Sequence, residues 1–441
     1  MMKKFELRQS WSDTGSGSPE FSATTARLEI YADGHNLTKN ENIWSRSIQD
    51  HVLVSTWPLA MWALQNWWRL LYEPLPSPAR RPDMGWRMAH GLGAANHGFV
   101  WPEIMFASDG ENVQIWSTPS SDDNQQSVRY IKRIDSPVSI PIAVFRSVLL
   151  DFVSTIESRL DAVGLHASDL SVFFKIIRDE EQNRDSMIYR KLEALMGFDP
   201  DECPPETMDN ALKLYAACGE KTLSELAPVY GKGGKTEPLK PIEAFLHAPG
   251  VMGMPEFSTK SMGRETNSDT APWRVAVEDA RKLREEIGNR HKAIETARLF
   301  DLLGIAASDR DKWSPPCRSL VSVGIPAFHQ HIKFIPRKRH PLSKRFELAR
   351  YIGDYICTGD SHWLTNTDLG TARQRYQRAF AAAFLCPMDG LMAFLQDDYS
   401  EEAIEDAADH FDVSVQTIAS LLNSHSSGER EFSFFTSPLS F

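Results

Sequence analysis

The sequence is poor in cysteine and has no closely spaced cysteine pair. Its cysteines are odd in number and widely separated, so we expect neither a disulfide framework nor a zinc knuckle built on a CxxC pair. This usage is typical of proteins in a reducing compartment and predicts a cytoplasmic location. The five are Cys203, Cys218, Cys317, Cys357 and Cys386.

The sequence also lacks an apolar run long enough to cross a membrane. Its most apolar stretch covers residues 57–72 and includes Gln65, Asn66 and Arg69, whereas a membrane helix needs about 20 mostly apolar residues. The stretch therefore predicts a buried helix, and we expect no membrane partner. The N-terminus has basic residues but no apolar segment after them, so no secretory signal is expected.

An excess of positive charge is missing as well. The chain has 48 Lys and Arg against 59 Asp and Glu, a formal net charge of −11 at pH 7. Proteins that wrap nucleic acid usually present a net positive face, so this balance lowers the expectation of nonspecific DNA binding. Bulk negative charge favours protein partners instead.

The length and the pattern of apolar residues together predict an α+β protein of several domains. A chain of 441 residues is longer than a single domain with one hydrophobic core usually is. Residues 1–135 hold nine of the twelve tryptophans and short alternating runs beside Asp-Gly turns, which predicts a Trp-rich α+β domain. Helical spacing predicts a helical domain over 136–230. Residues 231–270 have the composition of a linker, residues 271–425 predict a mostly helical domain, and 426–441 form a tail.

Several segments of the last domain follow the order found in one family of zinc peptidases. Residues 345–356 read RFELARYIGDYI, residues 380–387 read FAAAFLCP and residues 406–423 read DAADHFDVSVQTIASLLN, while ARKLREEIG and LLGI precede them. Together they resemble the ImmA/IrrE family of metallopeptidases over about 155 residues, 270–425. The resemblance implies a zincin-like, mostly helical domain with a small sheet.

The same resemblance implies a set of ligand positions. In the family, two histidines at i and i+4 and one later acidic residue hold zinc, and a Glu after the first histidine is the general base. Here the first His falls on Arg350, the Glu on Tyr351 and the second His on Asp354, while the acidic ligand falls on Gln374 or Tyr376. Arginine offers no lone pair to a metal. We therefore predict no zinc, no cofactor and no catalytic residue at these degenerate positions.

A strip of ion pairs could occupy the place of the metal. Glu347 and Arg350 are spaced i, i+3, and Arg350 and Asp354 are spaced i, i+4, so the three can pair along one helix face. Guanidinium charge would then stand where the zinc charge stood. The alternative is that the three are solvated helix residues.

Two other groups of histidines are candidate sites. His329 and His331 alternate on the strand predicted at 328–335, and an HxH pair can bind zinc. His90, Asn96 and His97 lie in the Gly-rich segment MAHGLGAANHGFVWP, which could line a pocket unrelated to the peptidase resemblance. Ordinary structural roles are the alternative for both groups.

A basic stretch at residues 333–350 is a candidate binding surface for phosphates or an acidic partner, with Arg337 and Arg339 at its centre. The closing helix pair, 401–422, has helix-turn-helix spacing, but its second helix carries no Lys or Arg. We therefore do not expect that helix to recognise DNA bases, and we predict that it packs against the rest of the domain.

The leading hypothesis is a catalytically inactive metallopeptidase-like protein that binds a protein or peptide segment in the old substrate groove. The resemblance implies a setting in mobile-element, stress or phage-defence regulation, with a partner encoded nearby. One alternative is an active metal-dependent hydrolase or peptidase with a rearranged histidine site. Another is a nucleic-acid-binding regulator that uses residues 333–350.

Overall fold

The computed structural model describes residues 4–14, 17–76, 82–121, 126–166, 168–232, 238–259, 262, 270–359 and 362–426. Within them the chain divides into two compact units, the first comprising 4–208 and 231–232 and the second 209–230 and 238–426. Helices and small antiparallel sheets occur in both, which confirms the α+β class. The predicted tail lies outside the described residues except for Ser426.

The first unit contains small antiparallel sheets and the helices that cover them. Its strands are β1 (Phe5–Trp11), β2 (Thr25–Ala32), β3 (His35–Asn36), β4 (Asn40–Asn42), β5 (Ser47–Gln49), β6 (Val52–Ser55), β7 (Glu103–Ser108), β8 (Asn112–Thr118), β9 (Val128–Tyr130) and β10 (Ile134–Pro141). Its helices are α1 (Pro19–Ala23), α2 (Trp57–Gln65), α3 (Trp67–Tyr72), α4 (Met84–His90), α5 (Ile142–Ala162), α6 (Asp169–Gln182) and α7 (Arg184–Leu195). The strands pair as β1–β2–β3 with β6 also on β2, as β10–β8–β7 and as β5–β4–β9.

Most local predictions for this unit are confirmed. The short alternating runs of the Trp-rich region, residues 26–31, 103–107 and 113–116, lie in β2, β7 and β8. The apolar stretch 57–72 is mostly buried, as predicted, but it forms two helices that meet at Asn66. The Asn66 amide donates to the Trp62 carbonyl (2.8 Å), a local side-chain bond that favours a helix end.

The helices after residue 136 share a core with the Trp-rich region. α5 buries Phe145, Leu149 and Phe152 on one face, at helical spacing. The Phe145 ring lies 5.0 Å from the ring of Phe5 in β1, and both belong to one hydrophobic cluster. Residues 136–208 therefore form one unit with residues 4–135, and residues 209–230 belong to the second unit.

The second unit packs helices against one four-stranded antiparallel sheet. Its helices are α8 (Pro205–Leu226, which begins in the first unit), α9 (Ile242–Leu246), α10 (Pro272–Glu286), α11 (Thr296–Leu302), α12 (Pro341–Thr358), α13 (Ala372–Leu385), α14 (Met388–Leu395), α15 (Glu401–Phe411) and α16 (Val415–Ser426). Its strands are β11 (Val251–Gly253), β12 (Ser322–Pro326), β13 (Ile332–Ile335) and β14 (Leu364–Asn366), in the order β11–β13–β12–β14. α10 and α12 both pack on α13, which is buried along its length.

Part of the segment predicted to be a linker belongs to this sheet. Val251 is buried, and β11 pairs antiparallel with β13. A Cβ at Gly253 would lie 2.3 Å from the Leu303 carbonyl oxygen, so this glycine permits close backbone packing. The Gly-rich composition reflects packing at this position, where the sequence suggested a flexible connection.

Among the described residues, no single helix has the length and apolar character needed to span a membrane. One bent pair, α13 with α14 at 47°, meets the length and composition criteria together.

Candidate functional site

α12 and α13 approach each other closely at Gly353. A Cβ on this residue would lie 2.8 Å from the Phe380 ring, so a larger side chain would push the two helices apart. This contact places Arg350 and Asp354 of α12 within hydrogen-bonding distance of polar side chains on α13. The positions that the resemblance assigns to zinc ligands thus meet in the interior of the second unit.

Arg350 is buried and binds only neutral oxygens among the described residues. Its Nη2 donates to the Thr367 carbonyl (2.8 Å), to Gln377 Oε1 (3.0 Å) and to Gln374 Oε1. Its Nε has no acceptor among the residues that the structure describes. Burial lowers the pKa of the guanidinium to about 10, and the nearby charge of Arg337 adds to the effect. The group therefore stays charged at neutral pH but lacks a paired carboxylate.

Asp354 is fully buried and paired with Arg373 of α13. Its Oδ1 accepts from Arg373 Nε (2.7 Å), and its Oδ2 accepts from Arg373 Nη2 (2.8 Å) and from the Thr365 backbone N–H (2.7 Å). Burial alone would lower the pKa of Arg373, but the charge and hydrogen bonds of Asp354 raise it above its ordinary value. Asp354 is thus bound to a cation of the protein itself.

Glu347 is also buried, and its carboxylate caps backbone groups. Its Oε1 accepts from the Arg337 backbone N–H (3.1 Å), and its Oε2 lies 3.5 Å from the backbone nitrogen of Lys338. The predicted ion-pair strip of Glu347, Arg350 and Asp354 is therefore wrong, and so is the alternative of solvated side chains. Helical spacing brings the three close, but each has a partner outside α12 with better geometry.

The buried Glu347 carboxyl predicts a pH dependence of stability. Burial raises its pKa, whereas the unfolded chain loses this proton near about pH 4.3. The folded protein therefore binds the proton more tightly, and ionising Glu347 lowers stability as the pH rises through the raised pKa. Glu347→Gln is expected to reduce the loss of unfolding free energy that accompanies a rise in pH above about 4.3, measured by urea denaturation. The exposed Glu402→Gln is the control, and an unchanged pH profile in Glu347→Gln would contradict the assignment.

The two tyrosines at degenerate positions have structural contacts. The Tyr351 hydroxyl donates to the Ile335 carbonyl (3.2 Å), and its ring lies 5.1 Å from that of Phe334. The Tyr376 hydroxyl donates to Asp279 Oδ2 (2.7 Å). Of the two positions predicted for the acidic ligand, Gln374 contacts Arg350, whereas the Tyr376 hydroxyl is directed to Asp279.

A cavity of about 240 Å³ lies beside Arg350, between α12, α13 and the start of α16. Its wall combines apolar side chains with an excess of basic groups. Arg337 Nη1 and Nη2 bind Asp368 in a bidentate pair (2.9 and 2.7 Å). Burial alone would raise the pKa of Asp368, but Arg337 holds it below its usual range. The charged groups in the wall are Arg337, Lys338, Glu347, Arg350, Asp368 and Arg378.

Several residues of this site had not been predicted from the sequence. Glu225 of α8 is buried and accepts from the Thr371 hydroxyl (2.7 Å), and burial raises its pKa. Gln377 follows Gln374 by three residues, so helical spacing could have identified it. The backbone groups of Thr365 and Thr367 reach the site through tertiary packing, which leaves no local signal.

The basic stretch 333–350 does not form a continuous exposed surface. Lys333 donates to the carbonyls of Leu246 (2.5 Å) and Ala248 (3.1 Å). Arg345 and Arg350 are buried, and the side chain of Arg337 is 4% exposed in its pair with Asp368. Arg339, in contrast, is exposed. The positive charge of this stretch is mostly directed at groups of the second unit itself.

The predicted pair His329 and His331 does not lie on a strand. The backbone of His329 and Gln330 has φ of 56° and 61°, which breaks the extended conformation, and β13 begins at Ile332. The prediction of a strand over 328–335 is therefore wrong for its first half. The two histidines do not share a strand face.

His90 is fully buried and has structural partners. Its Nε2 lies 2.9 Å from Glu73 Oε2, and its Nδ1 lies 3.1 Å from the Phe106 carbonyl. Its ring stacks on Trp86 at 4.1 Å. Both nitrogens are therefore occupied by oxygen partners.

Asn96 and His97 are exposed and have different surroundings from His90. Their φ angles are 43° and 56°, and the Asn96 carbonyl accepts from Trp101 Nε1 (3.0 Å). The His97 ring lies 5.6 Å from Phe21, edge to face. The structure does not bring the predicted group of His90, Asn96 and His97 into one site. Among the described residues, no three His, Cys, Asp or Glu side chains lie close enough together to hold a metal ion.

Comparison of the chain with protein-family models, curated proteins and solved structures finds no match.

Proposed function

We propose that the second unit contains a catalytically inactive metallopeptidase-like domain of the ImmA/IrrE type, which acts by binding a segment of a partner protein. One observation carries the proposal: the three positions that the resemblance assigns to zinc ligands converge. Arg350 binds Gln374, and the backbone of Thr365 joins Gln374 to Asp354. Three residues on two helices are expected to converge if the fold is that of the zinc peptidases.

The chemistry of these residues supports binding without catalysis. Arg350 cannot donate electrons to a metal, and both oxygens of Asp354 are occupied by Arg373 and Thr365. A second cation would be repelled by the two buried guanidinium groups. The cavity beside them remains large enough for a side chain or the end of a peptide.

The resemblance further suggests the biological setting. We place the protein in mobile-element, stress or phage-defence regulation, where a partner encoded nearby would present the bound segment. We expect the partner to bind at this cavity of the second unit and not at the first unit.

Restoring the three ligands tests the proposal. The variant Arg350→His/Asp354→His/Gln374→Glu is expected to bind one zinc ion per chain, because two His and one carboxylate form a catalytic-type zinc site. The wild type is expected to bind none. Zinc stoichiometry is measured by competition with a chelator, and tetrahedral geometry is checked by the visible spectrum of the cobalt form.

The matched control is Arg350→His/Asp354→His, which keeps Gln374 and should bind zinc at least about tenfold more weakly. A folded triple variant with no more zinc affinity than the wild type would show that the positions do not form a ligand set. Stoichiometric zinc in the wild type that is lost in Asp354→Ala would equally overturn the proposal, even if the triple variant did not fold.

A further inference from the structure

We propose that the cavity beside Arg350 binds the carboxylate of a peptide, from either a C-terminus or an acidic side chain. The inference rests on the proposed function for the nature of the occupant and adds the group that the cavity recognises. Four observations support it, each from the wall of the cavity.

The first is the excess of basic groups. Four basic side chains and two carboxylates line the cavity. Asp368 is bound bidentately by Arg337, and Glu347 accepts from backbone N–H groups. The wall therefore has two more basic than acidic side chains, and backbone groups occupy the Glu347 carboxylate.

The second is the state of Arg350. Arg350 is 5% exposed, yet the hydrogen-bond partners of its guanidinium in the described residues are neutral oxygens. The carboxylates of Asp354, Asp368 and Glu347 are near enough to act on its charge, but among the described residues none of them hydrogen-bonds to it. An entering carboxylate would supply a direct partner, and arginine binds carboxylates with matched planar geometry.

The third is a pair of unsatisfied polar atoms on two residues that line the cavity. Arg350 Nε has no acceptor and Asn366 Oδ1 has no donor among the described residues, although both side chains are buried. A ligand that carries both an oxyanion and an N–H donor would satisfy the two atoms. A peptide carboxylate beside an amide N–H has this combination.

The fourth is the start of α16. Ser414, Gln416 and Thr417 line the cavity where this 12-residue helix begins. The positive end of a helix dipole favours negative charge. The helix start and the guanidinium of Arg350 therefore favour the same kind of ligand from two sides.

Small peptide analogues test the inference on the full chain. N-acetylalanine carries a C-terminal carboxylate, and its neutral amide has the same shape without the charge. Two mono-amides of N-acetylglutamate separate the two carboxylate sources. One is amidated at the α-carboxyl and keeps the side-chain carboxylate, and the other is amidated at the side chain and keeps the α-carboxylate. Binding is measured by calorimetry at low salt, with inorganic phosphate as the competing anion.

We expect at least one acid to bind at least tenfold more tightly than the neutral amide. Lys338→Gln, in the cavity wall, should weaken that binding at least threefold, whereas Arg339→Gln, an exposed neighbour outside the wall, should leave it unchanged. Arg350→Gln should abolish it, with circular dichroism as the check on folding.

Equal affinity for acid and amide would overturn the inference, as would equal effects of the Lys338 and Arg339 substitutions. Tighter binding of inorganic phosphate than of either acid would assign the cavity to a different anion. Because these probes are free small molecules, their failure leaves the zinc-ligand test intact, and a failed zinc test leaves the carboxylate result standing.

Discussion

Asp354→Ala is expected to lower the free energy of unfolding by about 3–5 kcal/mol, the range found when one partner of a buried ion pair is removed. The carboxylate is fully buried, and the Arg373 side chain that it binds is 10% exposed. The substitution leaves a guanidinium in the interior without its counter-ion. It also removes the acceptor of the Thr365 N–H. The loss is measured by urea denaturation at pH 7.

Two further variants separate the buried charge from other causes. Glu278→Ala removes an exposed partner of Arg281 in the same unit and should cost less than about 1 kcal/mol. Asp354→Ala/Arg373→Met removes both charges and is expected to be more stable than Asp354→Ala alone. A cost below about 1 kcal/mol for Asp354→Ala, or a double variant less stable than the single one, would show that the pair does not stabilise the fold.

The sequence predicts the helices of this site well because their signal is local. Both α12 and α13 lie in residues 271–425, for which the sequence predicts a mostly helical domain. Apolar residues at helical spacing identify both. The ligand positions at 350, 354 and 374 came from the family resemblance, since no local pattern shows that two helices face each other.

The partners of these residues could not be predicted in the same way. Spacing along α12 suggested that Arg350 pairs with Asp354, but Asp354 binds Arg373 on α13 instead. Two residues at i, i+4 on an exposed helix have few alternatives. Inside the unit, the close approach of α12 and α13 at Gly353 offers each side chain partners that helical spacing alone does not indicate.

Backbone acceptors explain the failure of the predicted basic surface. Lys333 and Arg345 both donate to carbonyl oxygens from distant parts of the chain. A carbonyl group has no signature in the sequence, because every residue carries one. Counting basic residues therefore overestimates the charge that residues 333–350 present to solvent.

Arg345→Met is the second substitution expected to have a large effect, on the order of 3 kcal/mol or more. The guanidinium is 3% exposed and donates to Ile294 O (2.8 Å), Thr296 Oγ1 (2.7 Å) and Asp412 O (3.0 Å). It thereby joins α12 to the start of α11 and to the end of α15. Methionine fills similar space but leaves these buried acceptors without a donor.

Arg339→Met is the matched control, because this arginine lies in the same basic stretch but is exposed, and its cost should stay within about 0.5 kcal/mol. Equal costs in urea denaturation would mean that the contacts of Arg345 contribute little. The expected difference would show that the first residue of the RFELA segment stabilises the unit through buried hydrogen bonds. The match to the family sequence at this position would then be explained by a structural role of the arginine. Such a role does not require zinc, so the fold can be stable although positions 350, 354 and 374 carry no zinc ligands.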